Sequence, residues 1–226
     1  MKLFIMLLFT ITICSNFLHA LPNITGSTGL VSMPTAEILN YKEYNLAIDY
    51  NLNLDDNDGS QYFYKINVGA LDNMELGFVG GTNPSEGVFL NFKWSLSSNT
   101  GRFPLKMAIG FENLTSNNES DFYIVSSKKI RSDLGIHGGF KALFNDKVDV
   151  GFMAGTDYVY SESLIFLGDL TNTGDNYYTI NISGLYKLML GESTDNIYIR
   201  GSIQNLLRSG NNDSYFNLGI CYLNIL

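Results

Sequence analysis

The 226-residue chain is poor in charge, with only 16% Asp, Glu, Lys and Arg against about 25% in an ordinary soluble domain. It has four Pro, two Cys, two His and a single Trp. Fourteen Lys and Arg against twenty-two Asp and Glu give a formal net charge of −8, which excludes a nucleic-acid binder, since that function needs clustered cations. Scarce cysteine excludes a disulfide-stapled scaffold. Scarce charge does not mean disorder, because 45% of the residues are apolar and 13% aromatic, enough to bury.

Residues 1–20 have the pattern of a secretory leader: Lys2, an apolar run from Leu3 to Ile13, and Leu18-His19-Ala20 as a cleavage site. The apolar run of about 11 residues is too short to span a bilayer as a helix. Ile13 before Cys14 argues against a lipoprotein. Removal of the leader would leave Cys221 and His137 as the only residues of their kinds. No later stretch is long and apolar enough for a transmembrane helix.

What the remaining chain has is alternation with a period of two. In 44–54, Leu46, Ile48, Tyr50, Leu52 and Leu54 share one parity, and Asn45, Ala47, Asp49, Asn51 and Asn53 share the other. Such sets fall on opposite faces of a strand. The pattern returns in 62–70, 105–112, 178–188 and 197–203, and more weakly in 74–82, 88–96, 134–144, 148–156 and 215–226. Segments 122–129 and 159–168 leave the phase open. Turn-forming residues separate the runs at 55–60, 71–73, 145–147, 173–176 and 208–213. Only 34–39 has room for a short helix, of barely one turn. The reading is all-β: an antiparallel up-and-down transmembrane β-barrel of about 10–12 strands, after a cleaved signal peptide.

The alternation does not say which face is wet. A soluble periplasmic lipocalin-like barrel would bury the apolar set around an apolar ligand, whereas an outer-membrane barrel would turn it to lipid. Strand length favours the membrane, as does a polar face rich in Asn, Ser and Gly without dense Lys and Glu. Aromatics near strand ends suit interfacial girdles: Tyr41, Tyr44, Tyr62, Trp94, Phe103, Phe111, Phe144, Tyr158, Tyr160, Tyr177 and Tyr178. Strand parity then puts Asp49, Lys65, Glu75, Lys93, Lys106, Glu112, His137, Lys141, Asp149, Lys187 and Arg200 toward the lumen, where mixed signs would cross-pair. A lumen of this strand number is narrow and largely filled by side chains, which disfavours a general porin and leaves a narrow channel for small solutes open.

The segment Gly29-Leu30-Val31-Ser32-Met33-Pro34-Thr35-Ala36 resembles the G-L-x-x-x-P-T-A signature of the YjbH-like outer-membrane proteins, a family linked to exopolysaccharide production. Softer likenesses follow in 67–77, 92–96, Pro104 and 108–110. The resemblance implies a non-enzymatic envelope protein of a Gram-negative cell, associated with polysaccharide or its export machinery, with Gly29, Leu30, Pro34, Thr35 and Ala36 as motif residues. The expected organisation is leader 1–20, a periplasmic or plug segment 21–43, and a barrel 44–226. The outer-membrane lipid and the barrel-assembly machinery are the other expected partners. Outer-membrane barrels usually close on a strand ending in an aromatic residue; Phe216, Leu218, Ile220 and Tyr222 alternate properly, but Asn224 and Leu226 depart from that signal.

Catalytic chemistry has little support. His137 with Ser126 or Ser127 is the one candidate pair for a hydrolase, and no Gly-x-Ser-x-Gly elbow accompanies it. One His and one distant Cys give no metal-ligand spacing, so no cofactor is expected. The loop 55–59 is acidic but lacks the spaced ligands and closing Glu of a calcium loop. The pairs Gly80-Gly81 and Gly138-Gly139 fit no phosphate-binding pattern.

Overall fold

A computed structural model describes residues 21–55, 59–82, 87–97, 105–116, 120–144, 148–172, 178–189, 196–208 and 213–225. The leader, Phe103, Pro104, Tyr177, Leu226 and the turns at 145–147 and 173–176 lie outside the described residues.

The alternating runs become twelve strands: β1 (Glu43–Asn53), β2 (Gln61–Leu71), β3 (Met74–Gly81), β4 (Phe89–Ser95), β5 (Lys106–Glu112), β6 (Ser120–Arg131), β7 (Leu134–Phe144), β8 (Val148–Val159), β9 (Leu164–Asn172), β10 (Tyr178–Leu188), β11 (Asn196–Arg208) and β12 (Tyr215–Ile225). Each pairs antiparallel with the next, and β1 pairs with β12 from Glu43↔Ile225 to Asn53↔Tyr215, so the sheet closes into a barrel. Closure removes both edges and leaves every strand's main chain a partner. Both described termini of the barrel lie at one end, called here the terminal end. There β2–β3 and β6–β7 join through two-residue turns, 72–73 and 132–133. Register irregularities interrupt β2–β3 near Gly69, β6–β7 near Lys129 and β10–β11 near Ile180.

The apolar parity faces outward. In β1, Ile48 is 68% exposed and Leu52 39%, while Asn45, Asp49 and Asn51 are buried. Phe140, Val150, Phe166, Ile182 and Ile220 continue the exposed apolar surface around the barrel. A soluble barrel holding an apolar ligand would have the opposite arrangement.

The interior is occupied by residues 21–39, and exposed residues 40–42 lead from them at the rim into β1. No helix forms at 34–39: the segment is extended and turned, with isolated bridges Pro22↔Thr28 and Gly29↔Pro34. One helical turn there would satisfy few of its own main-chain groups, whereas here the wall takes the N–H groups of Ala36 and Leu39 and the carbonyl of Glu37. Two apolar clusters seat the segment. Leu21 and Leu39 pack with Ala47, Ile165, Leu185, Tyr198, Cys221 and Leu223. Leu30, Met33 and Ala36 pack with Ala108, Tyr123, Val125 and Met153.

The chain turns from the segment into β1 through Lys42, whose φ is 71°, and Glu43 accepts hydrogen bonds from the N–H and side-chain amide of Asn40 at 2.7 and 2.8 Å. It passes so close to β2 that a Cβ at Gly69 would meet the Asn40 carbonyl oxygen at 1.8 Å, which only glycine permits. Gly26, at φ 102°, occupies a similar close approach to Val79.

Candidate functional site

The inward parity of the strands and the main chain of 21–42 form one hydrogen-bonded network. At the wall of β1, β2 and β11, Asp49 stands between Lys65 at 2.5 Å and Arg200 at 2.5 Å, with all three side chains almost fully buried. A buried carboxylate is tolerable only with such charge-assisted partners. Both cations reach on to the segment: Lys65 donates to the Asn23 carbonyl at 2.8 Å and Arg200 to that of Pro22. Asn67 and Asn91 donate to the carbonyls of Gly26 and Thr25, at 2.7 and 2.8 Å.

Around the rest of the wall, carboxylates accept most of the segment's donors. Glu75 takes the N–H of Thr28 and of Leu39, both at 3.1 Å, and the Thr28 hydroxyl at 2.9 Å. Lys93 beside it donates to the carbonyls of Thr28 and Glu37. Glu112 accepts from the Thr25 hydroxyl at 2.6 Å and the Asn23 amide at 3.3 Å. Lys141 bridges Glu112 and Asp121, at 3.5 and 2.5 Å. Asp169 of β9 gathers the most donors: the N–H groups of Val31 and Ser32 at 2.8 Å and of Met33 at 3.1 Å, the Ser32 hydroxyl at 2.9 Å, and Asn181 at 2.7 Å. Three successive main-chain N–H groups aimed at one carboxylate form an anion-binding concavity, here filled by the barrel itself.

His137 joins a buried chain across three neighbouring strands. Its Nδ1 lies 2.8 Å from Ser127 Oγ, and its Nε2 lies 2.7 Å from Asp157 Oδ1. Ser127 Oγ also accepts the Ala36 N–H at 2.9 Å. With Asp157 ionised, Nε2 carries the proton facing it, and Nδ1 accepts the Ser127 hydroxyl. The composition is that of a hydrolytic triad, but Ser127 is 3% exposed and Ala36 sits where a substrate's acyl group would approach. The chain therefore fastens the segment to the wall at Ala36. Ser126, the other sequence candidate, faces outward and donates to the Gly138 carbonyl at 3.1 Å.

Of the eleven polar residues expected in the lumen, Asp49, Lys65, Glu75, Lys93, Glu112, His137 and Arg200 are buried there, and Lys141 is nearly so. Asp149 and Lys187 are partly buried at opposite ends of the barrel. Lys106 opens β5 at the terminal rim, with 58% of its side chain exposed, and pairs with Glu37 there instead of lying deep in the lumen. The motif residues form a tight reversal: Gly29 bridges Pro34, the Leu30 N–H donates to the Met33 carbonyl at 2.9 Å, and Thr35 donates to the Thr28 carbonyl at 3.2 Å. Leu30 and Ala36 enter the second apolar cluster, and Thr35 is buried. Sequence reasoning missed Asp121, Asp157, Asp169 and Asn91, and put Asn67 and Asn181 on the polar parity without singling them out. Asp157 continues the parity of Asp149, Gly151 and Met153, a signal available but not followed to the end of β8. Among the described residues no group of His, Cys, Asp and Glu has the arrangement of a metal site.

No protein-family model matches the chain, and no curated protein matches it in sequence. Solved structures do resemble it. A structure described as KdgM porin superposes with a TM-score of 0.58 at 13% identity, covering 79% of this chain and 98% of that one. A second, described as KdgM porin in complex with disordered oligogalacturonate, gives 0.57 at 12% identity with the same coverage. The chain has the fold of these porins: a closed, twelve-stranded, antiparallel β-barrel.

Proposed function

We propose that the protein is an outer-membrane channel whose lumen is held shut by its own N-terminal segment, and that it acts without catalysis. The observation that carries this reading is the pairing of an apolar exterior with a lumen whose polar side chains bind main chain from Pro22 to Asn40. An exterior bearing Ile48, Val148, Phe140 and Ile220 at about 60% exposure or more would aggregate in water and is stable in lipid. The porin-like fold supports a conducting path once the segment leaves. Because the segment is fastened by side chains rather than by strand pairing, it can come away while the barrel stays closed.

The test combines location with current. The mature protein is expected in the outer-membrane fraction, migrating differently on gels before and after boiling. In planar bilayers the parent is expected to stay mostly closed. Asp169→Ala, which removes the acceptor of three main-chain N–H groups, is expected to open at least ten times as often. A soluble protein, or a variant as silent as its parent, would contradict the proposal. The likeness of 29–36 to the YjbH-like proteins supports a second reading, an envelope polysaccharide as the solute, which the same currents test with added oligosaccharide.

A further inference from the structure

The lumen binds two features of its resident segment, and both belong to peptides. First, it reads main chain. Carbonyls between Pro22 and Glu37 are taken by Arg200, Lys65, Asn67, Asn91 and Lys93, and N–H groups between Thr28 and Leu39 by Glu75, Asp169 and Ser127. Second, the polar wall is interrupted by two inward apolar pockets. One is formed by Ile165, Leu185, Tyr198 and Leu223 around Leu21 and Leu39, the other by Tyr123, Val125 and Met153 around Leu30 and Met33. A saccharide without N-acetyl groups has neither amide donors nor aliphatic anchors to match them. Inward Leu, Ile, Val and Met would also make a poor wall for a purely hydrophilic solute, because emptying the lumen wets them.

We infer that the vacated lumen is a binding site for a peptide that folds back on itself and carries aliphatic side chains at two anchor points, and that residues 21–41 are its resident, displaceable occupant. This rests on the proposed channel reading only in requiring that the segment can leave. Recognition lies in main chain and anchors, so most polar side chains of the occupant are replaceable. The exceptions are Asn23 and Thr25, which reach Glu112, Thr28, whose hydroxyl reaches Glu75 at 2.9 Å, and Ser32, whose hydroxyl reaches Asp169 at 2.9 Å and accepts from Asn181 at 2.8 Å.

The test weakens the occupant and leaves the wall intact. Full-length Leu30→Asp/Leu39→Asp protein, folded by the criterion of the gel shift, is titrated with a fluorescent synthetic peptide of sequence 21–41 and followed by anisotropy. Binding is expected at least tenfold tighter than to the parent, whose own segment competes. A peptide that keeps the aliphatic positions, the glycines, the prolines, Asn23, Thr25, Thr28 and Ser32 but exchanges Ser27 with Thr35 and Glu37 with Asn40 should bind within threefold of the first. A neutral oligosaccharide of equal mass should not displace either. Should the double variant fail to fold, Val31→Pro, which removes one N–H from Asp169, replaces it with the same expectation. No gain over the parent, loss of binding by the exchanged peptide, or displacement by the sugar would overturn the inference. Currents recorded on the same samples separate the two readings. Opening without peptide binding removes this inference alone, and binding without current removes the channel and leaves the site.

Discussion

Ile48 and Asp49 are adjacent in β1 and face opposite media: the first is 68% exposed on the outside, the second fully buried between Lys65 and Arg200. The same kind of change at the two positions therefore fails for different reasons. Ile48→Arg puts a charge near mid-height on the apolar exterior, and folding into lipid vesicles is expected to weaken by about 2–4 kcal/mol, read from urea titrations of the heat-sensitive gel band. Asp49→Asn leaves two buried cations without their carboxylate, an expected loss of about 3–5 kcal/mol by the same titration. Lys106 and Glu37 pair at the exposed rim, where screening leaves such a contact worth about 1 kcal/mol or less. Lys106→Ala should thus titrate almost as the parent does.

At the scale of elements, the strands with the clearest alternation, β1, β2 and β10, were legible because lipid-type and lumen-type surroundings lie on opposite faces. The two segments whose phase stayed open became β6 and β9, and the reason is physical. Their inward faces carry Tyr123 and Val125, and Ile165 and Leu167, which pack against the N-terminal segment. Apolar residues on both faces erase the period of two. The occupant of the lumen was thus written into those strands as noise. Asp169 was lost with the phase of β9, although it holds more of the segment's N–H groups than any other wall residue. The place of the segment is open to a direct check. Ala36 N–H lies 2.9 Å from Ser127 Oγ, so cysteines at these two positions are expected to cross-link on oxidation without loss of the gel shift. Buried Cys221 should stay unreactive. Conductance that persists unchanged after complete cross-linking would contradict a segment that blocks the lumen.

For the whole molecule, many outward aromatic residues gather toward the two ends of the barrel, with Tyr64, Phe78, Phe140 and Phe152 between them. Trp94, Tyr158, Tyr160 and the Tyr44–Tyr222 pair, with ring centroids 6.0 Å apart, gather toward the terminal end. Tyr62 stacks with Tyr50 at 4.9 Å toward the other end, in company with Phe111, Phe144 and Tyr178. Tyr and Trp enriched at two levels, with an apolar surface mostly of aliphatic residues and Phe between them, match a bilayer: amphipathic rings at the interfaces, hydrocarbon between. Sequence alternation fixed neither which face met lipid nor what filled the interior, because both depend on how the sheet closes. Trp94, the only tryptophan of the chain and 45% exposed on the outer face near the terminal rim, reports on this without a label. The most direct measurement is quenching of its fluorescence in vesicles of lipids brominated at known depths. Quenching should be strong, and stronger from bromines near the headgroups than from those at the bilayer centre. Trp94 untouched by every brominated lipid but fully quenched by aqueous iodide would contradict a lipid-embedded barrel.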